Sequence, residues 1–166
     1  MQSSPVLLIN LFENGEFMDI NRKGEQAMGV ETISASLRIW SQTGDQPPAA
    51  SFFHNLVIQP GDPIKKGEGP GVPRVELVSL ALPDFSEAEE PEEAFVEALN
   101  AALLRGAEWL ARQSPEVFES WRAAGFITDL FIGAWIEEDQ LDLDLPPEFL
   151  TACGRLGLTI SICTND

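Results

Sequence analysis

The feature that most constrains the fold is a long amphipathic segment in the middle of the chain, residues 84–113. Its apolar side chains recur at the spacing of one helical face: Phe95, Leu99, Ala102, Leu103 and Leu110. This pattern predicts a helix that buries one side against a core. Acidic residues at positions 87, 89, 90, 92 and 93 crowd its start, and Arg105 and Arg112 lie toward its end. The helix dipole favours this distribution, so the acidic run has a structural explanation.

Strand-like segments flank this helix on both sides. Residues 33–40 alternate apolar and polar side chains, which is typical of a half-buried strand. Four further strands are predicted, at residues 5–12, 74–82, 127–135 and 158–163, and "LDLDL" at 141–145 is predicted to pair back on 127–135 as a hairpin. Residues 51–58 are expected to form a short helix that passes into an extended segment, and further short helices are expected from Ser114-Pro115 to Gly125 and from Pro146-Pro147 to Gly157. The fold class is therefore α+β, with a single mixed or antiparallel sheet covered by helices.

The 166 residues are long enough for one domain with a sizeable core, and we divide them into four parts. Residues 1–32 form an N-terminal strand and an irregular segment, 33–82 a first unit, 84–125 a helical insert and 126–166 a second unit. Both units contain a strand ending in tryptophan (Trp40, Trp135), a proline pair, a short helix and a strand. This order predicts two related strand–helix–strand units, a ferredoxin-like duplication. Independent use of prolines at helix starts is the alternative.

Three segments carry a family resemblance: "SASLRI", "LVIQPGDPIKKG" and "LPPEFLTACGRLGLTISI". They resemble a bacterial family without known activity, domain of unknown function 4279, over roughly residues 33 to 163. The resemblance implies an α+β sheet domain and assigns no catalytic residue. Small acidic domains of this kind include immunity proteins, which neutralise toxins exchanged between bacteria, and this comparison rests on family-level analogy.

The net charge restricts the classes of partner. Ten basic residues against 27 acidic ones give a formal charge of -17. Nucleic-acid binding depends on Lys and Arg that neutralise phosphates, so the composition argues against DNA or RNA as a partner. A field this negative favours a basic protein partner and speeds the encounter with it. The same charge also keeps a protein soluble without any partner.

The candidate chemical site is a run of acids near the C-terminus: Glu137, Glu138, Asp139, Asp142 and Asp144. Carboxylates can hold a hard cation or act as an acid–base pair. The spacing and turn glycine of a calcium loop are absent, however, and the alternation with leucines indicates a water-facing side of a strand. His54 is the chain's single histidine and could serve only as a lone general base; it is expected partly solvated on a short helix. Cys153 and Cys163 are expected to pack as small hydrophobic side chains.

The remaining predictions concern the loop that contains Lys65-Lys66, the cellular location and the function. Residues 59–73 are predicted to be a loop, in which the role of Lys65-Lys66 stays open, and a phosphate-binding loop is disfavoured because no helix follows. No apolar run is long enough to cross a bilayer, which predicts a cytoplasmic protein without membrane contact. No cofactor and no catalytic residue are predicted. The favoured hypothesis is a non-enzymatic, immunity-type binding protein. A regulatory or scaffold domain acting as a homodimer and a carboxylate-dependent metal hydrolase are the alternatives.

Overall fold

A computed structural model describes residues 30–41, 43, 49–67, 72–136 and 141–164. Several predictions fall outside these residues, namely the strand at 5–12, the proline pair at 47–48 and the acids Glu137, Glu138 and Asp139. The predicted N-terminal segment 1–32 is described only from Val30 onward.

Five strands form one mixed sheet in the part of the chain that the structure describes. They are β1 (Val30–Trp40), β2 (Lys65–Gly67), β3 (Arg74–Ala81), β4 (Ile127–Ile136) and β5 (Thr159–Thr164), in the spatial order β2-β3-β1-β4-β5. Neighbouring strands are antiparallel except β4 and β5, which are parallel. The α+β class with a mixed sheet is thereby confirmed.

The helices are α1 (Ala49–His54), α2 (Pro91–Ala111), α3 (Pro115–Ala123) and α4 (Pro147–Leu156), with a short 3-10 helix at Leu82–Phe85. Proline occupies the first position of α2, α3 and α4, where its missing N–H costs no hydrogen bond. The chain leaves α4 at Gly157, whose φ of +65° lies in the left-handed region that glycine adopts without strain. The predicted starts and ends of α3 and α4 are confirmed, whereas α2 begins at Pro91 and not at residue 84, because residues 82–90 form the 3-10 helix and turns instead.

The core lies between the helices and one face of the sheet. Leu37, Val75, Leu130 and Ile132 project from the central strands and are at most 1% exposed. A β-bulge opposite Ala35 and Ser36 places Glu76 against Ser36 and Val78 against Ala35, so Leu77 is the extra residue. Because a bulge shifts the alternation by one residue, the neighbours Leu77 and Val78 are both buried. All five apolar residues predicted for α2 are buried on this side of the sheet.

The predicted hairpin of 127–135 with 141–145 is wrong. Residues 141–146 have no regular secondary structure, because β4 already pairs with β1 on one side and β5 on the other. The side-chain alternation is nevertheless real: Leu141, Leu143 and Leu145 are half-buried against the core, whereas Asp142 and Asp144 are exposed. An extended segment outside a sheet can alternate in the same way as a strand.

Two other predictions need correction. Lys65–Gly67 is not loop but the short edge strand β2, paired with β3. The duplication is not confirmed, because residues 56–58 after α1 stay outside the sheet while β5 after α4 joins it. The place beside β1 that a parallel second strand would need is taken by the antiparallel strand β3. The two segments share local sequence features but build different topologies.

Candidate protein-binding surface

The predicted acid cluster does not form a metal centre in the part of the chain that can be described. Asp142 and Asp144 point into solvent from an irregular segment, and Glu137, Glu138 and Asp139 lie outside the described residues. No group of three or more His, Cys, Asp or Glu side chains that could hold a metal ion occurs among residues 30–41, 43, 49–67, 72–136 and 141–164. The exposed acids of this segment therefore contribute charge to the surface.

Two arginines are used to hold helix ends together. Arg155 of α4 donates from Nη2 to the carbonyl oxygens of Leu110, Ala111 and Gln113, at 2.8–3.0 Å. Arg122 of α3 donates from Nη1 to the carbonyl of Leu156 at 2.9 Å. Carbonyl groups at a helix C-terminus lack partners within the helix and carry partial negative charge, so both cations stabilise helix ends.

Other cations are engaged by carboxylates or an aromatic ring. Arg38 pairs with Asp129, Arg112 with Asp62, and Lys65 with Glu76, while the Lys66 ammonium lies 5.4 Å from the centre of the Phe53 ring. The hydrogen bond from Arg112 and a second from the Gln59 N–H lower the pKa of Asp62. The fold thus holds much of its positive charge in internal contacts and leaves many acids facing water.

The start of α2 carries a group of exposed carboxylates. Glu90, Glu93 and Glu97 are exposed and follow one another at helical spacing, so their side chains are neighbours. Val96 lies beside them and is 43% exposed. Within the described residues none of the three carboxylates forms an ion pair with Lys or Arg. We call these four residues the α2 acidic surface.

The carboxylates of this surface repel one another. A hydrogen bond to Glu90 and the negative charges of Glu90 and Glu97 raise the pKa of Glu93 above its ordinary value of 4.5. The helix dipole explains less of the acidic run than expected, because only Glu92 and Glu93 lie in the first turn and the Glu90 side chain does not cap the helix. The three carboxylates therefore concentrate negative charge at the start of α2, and their repulsion makes Glu93 harder to ionise.

Replacing Glu93 with glutamine tests this repulsion. A carboxyl whose pKa is raised on folding stabilises the fold below its unfolded pKa, and this contribution is lost as the pH rises through the folded pKa. We therefore expect E93Q to have a slightly higher melting temperature than the parent at pH 7 and no advantage at pH 3.5. Melting curves at the two pH values measure the difference.

Glu116 provides a matched control of opposite sign, since it occupies the first turn of α3. A hydrogen bond from the Ser114 hydroxyl lowers the pKa of Glu116. Its contribution is present above the unfolded pKa and is lost as the pH falls through the folded pKa. E116Q should therefore melt at a lower temperature than the parent at pH 7. Equal shifts of the same sign in both variants would contradict the repulsion.

A cavity of about 430 Å³ opens between α2 and the segment around Gly61. Arg105, Glu108 and Arg112 line one side and Asp62 the other, so its formal charges cancel. Arg112 already donates a hydrogen bond to the Asp62 carboxylate and another to the side-chain oxygen of Gln59, the latter at 3.1 Å. This arrangement ties residues 59–62 to α2 and offers no concentration of charge to a ligand.

The remaining predicted site residues are separated from one another. His54 is the exposed last residue of α1, as predicted. Cys153 is buried in α4, and this burial raises the pKa of its thiol to about 12. Cys163 is half-buried in β5, so packing is confirmed for Cys153 and holds in part for Cys163. The structure brings neither cysteine into a catalytic arrangement with His54.

Sequence reasoning missed the buried ion pair on the other face of the sheet. Asp129 is 1% exposed and accepts hydrogen bonds from Arg38 Nε at 2.9 Å and Nη2 at 2.5 Å. Ser161 Oγ lies 3.4 Å from the same carboxylate, and the Arg38 guanidinium covers the Phe131 ring at 3.9 Å. One signal was present: Asp129 is the charged residue of the largely apolar strand β4, whereas Arg38 continues the polar side of β1 after Ser34 and Ser36. Only the strand register, which sets Arg38 opposite Asp129, shows that they are partners.

No family model, curated protein or solved structure matches the chain. The resemblance of residues 33–163 to the family named above therefore stays a prediction. Among the described helices, none combines the length and the apolar character needed to cross a lipid bilayer.

Proposed function

We propose that this chain is a non-enzymatic binding protein that holds a basic protein partner on the α2 acidic surface. The observation that carries the proposal is the run of exposed carboxylates Glu90, Glu93 and Glu97, to which the described cations are not bound. Lys and Arg of a partner would form the ion pairs that the described cations do not make with these carboxylates.

The physical mechanism has two parts. A negative field of this size steers a basic partner toward the surface and raises the association rate, chiefly at low salt. Close contact then depends on apolar burial, for which the exposed Val96 is available beside the three carboxylates. Ion pairs with the partner also relieve the repulsion that raises the pKa of Glu93.

The biological setting we propose is that of a bacterial immunity-type protein acting in the cytoplasm on a basic toxin. The family resemblance of residues 33–163 and the acidic composition support this proposal. The described residues do not favour the alternative of a carboxylate-dependent hydrolase, because Asp142 and Asp144 are exposed and no group of three or more possible metal ligands occurs among these residues.

Co-expression with a panel of basic bacterial nuclease toxin domains tests the proposal, with cell survival as the measurement. We expect the parent chain to protect cells against at least one toxin and the triple variant E90Q/E93Q/E97Q to lose that protection. For the purified pair, the dissociation constant should rise by at least tenfold in the triple variant and should rise further with added salt.

The matched control is the triple variant D142N/D144N/E148Q, which removes the same charge from an exposed region around the start of α4. It should protect cells as the parent does. Equal loss of protection in both triple variants would assign the effect to overall charge and would overturn the α2 acidic surface as the binding site. If the parent chain protects cells against none of the toxins in the panel, the immunity function is contradicted.

A further inference from the structure

The side of the sheet that faces away from the helices is withdrawn from water. We call it the second sheet face, and on it Arg38 contacts both Asp129 and Phe131. Asp129 is 1% exposed, Ser36 of β1 is 7% exposed, and Phe131 is half-buried. In a sheet with helices on one face, side chains on the other face usually contact water. The described helices all contribute to the core on the opposite face, so this burial indicates a cover that they do not supply.

Aromatic side chains suit the second sheet face to an apolar partner. They are Trp40, Phe131 and Trp135, and the small residues beside them are Ser34, Ser36 and Gly133. A Cβ on Gly133 would lie 3.2 Å from the Phe131 ring and 3.5 Å from Ser34 Oγ, which places these residues on one face. Along β4 the exposure falls from 49% at Trp135 to 1% at Asp129. The cover therefore lies over the half of the face that contains Asp129.

The sequence of the residues outside the described ranges selects the segment that supplies this cover. The short stretches, at 42, 44–48, 68–71, 137–140 and 165–166, consist of polar residues, glycine and proline. Residues 1–29 contain the apolar run "PVLLINLF" at 5–12. An aromatic surface is stabilised by contact with aliphatic side chains, which this run provides. We propose that residues 5–12 of the same chain lie across the second sheet face and cover the ion pair of Arg38 with Asp129.

The chain between this run and β1 is long enough for such a cover. β1 begins at Val30, at the end of the sheet where Thr32 lies opposite Trp135. Its 11 residues span about 36 Å, whereas residues 13–29 reach roughly 55 Å when fully extended. Residues 5–12 can therefore reach the far half of the face, which contains Asp129. In extended form they would cover about 26 Å of it.

Aspartates placed in the apolar run of the full chain test the proposal, with the thiol of Cys163 as the reporter. Cys163 is half-buried on the second sheet face, since Gly133 is its neighbour on β4. We expect L7D/I9D to raise the alkylation rate of Cys163 at least tenfold, because a charged segment leaves an apolar surface. The rate at Cys153, which is buried in α4, should change less than twofold. Peptide mass spectrometry measures the two thiols separately.

The matched control is N21D/Q26D, which adds the same charge to polar positions of the same segment. Both thiols of this variant should react at the rates of the parent. An L7D/I9D variant that reacts at Cys163 like the parent would overturn the proposal. Equal acceleration of both thiols would also overturn it, since the run would then support the whole fold and not this face.

A cross-linking test locates the run without adding charge. In the background S34C/C163S, one further cysteine is placed in turn at each position from 5 to 12, and a short bismaleimide is added. We expect cross-links within one chain for at least two positions. A run paired with the outer edge of β5 would lie three strands from β1, about 14 Å away, and would not cross-link. The background V96C/C163S is the control, because Val96 is exposed on α2, and no position should react with it.

The remaining outcomes of the cross-linking test identify other occupants. Cross-links only between two chains would show that a second copy covers the second sheet face. The absence of cross-links at all positions from 5 to 12 would leave the cover to another protein. Either result would overturn the proposal.

Discussion

Replacing Arg38 with methionine should lower the free energy of unfolding by about 3–5 kcal/mol at pH 7, as expected when one partner of a buried ion pair is removed. The Asp129 side chain is 2% exposed, while that of Arg38 is 25% exposed. Water therefore cannot replace the guanidinium, and the carboxylate stays buried with Ser161, at 3.4 Å, as its remaining side-chain hydrogen-bond donor among the described residues. Urea denaturation followed by circular dichroism measures the change.

Two further variants, D129N and R38M/D129N, distinguish the loss of the ion pair from the burial of an unpaired charge. D129N should lose less than R38M, because the partly exposed Arg38 can be hydrated and can still donate to the amide oxygen. The double variant R38M/D129N should be more stable than R38M alone, since it no longer buries a lone carboxylate. An R38M protein within 1 kcal/mol of the parent would contradict this account of the second sheet face.

Replacing Phe149 with alanine should lower the free energy of unfolding by about 3–5 kcal/mol, the usual effect of a large cavity in a core. Phe149 is completely buried in α4, and its ring edge packs against the backbone of α2 at Gly106. A Cβ on Gly106 would lie 3.4 Å from that ring, so the two helices are already in contact. Little room remains for α4 to move in and fill the space, which keeps the cost at the upper end. Thermal and urea unfolding both report it.

Val96→Ala is the matched control for this cavity, since Val96 lies on α2, the helix against which Phe149 packs, but is 43% exposed. Removing methyl groups from an exposed position usually changes stability by less than about 0.5 kcal/mol. A comparable loss in both variants would indicate that helix content, and not the packing of α4 on α2, decides the stability of this region.

Periodicity predicted the parts of the fold in which local sequence decides the outcome. The buried face of α2 and the proline starts of α3 and α4 follow from the spacing of apolar residues and from terminal residues alone. The strand at 33–40 was also predicted, although it begins three residues earlier, at Val30. Each of these features is complete within a single segment of chain.

Features that depend on the order of strands could not be predicted. Asp142 and Asp144 alternate with leucines as in a strand, but pairing requires a free neighbour, and β4 has none. The contacts of Arg155 could not be inferred either, because its partners are backbone carbonyls 42 to 45 residues away that have no sequence signature. The acids of the α2 acidic surface were visible as a run, but their lack of cationic partners among the described residues depends on where the described arginines are held.

The buried thiol of Cys153 makes the motion of one helix accessible to kinetic measurement. Reaction with a thiol reagent needs the thiolate and access to it, and burial at 1% exposure with a pKa of about 12 removes both in the closed state. Alkylation must then wait until α4 separates from α2. The labelling rate of the same thiol in the urea-unfolded protein serves as the reference for the reagent. The ratio of the two labelling rates gives the frequency with which α4 opens, separately from global unfolding.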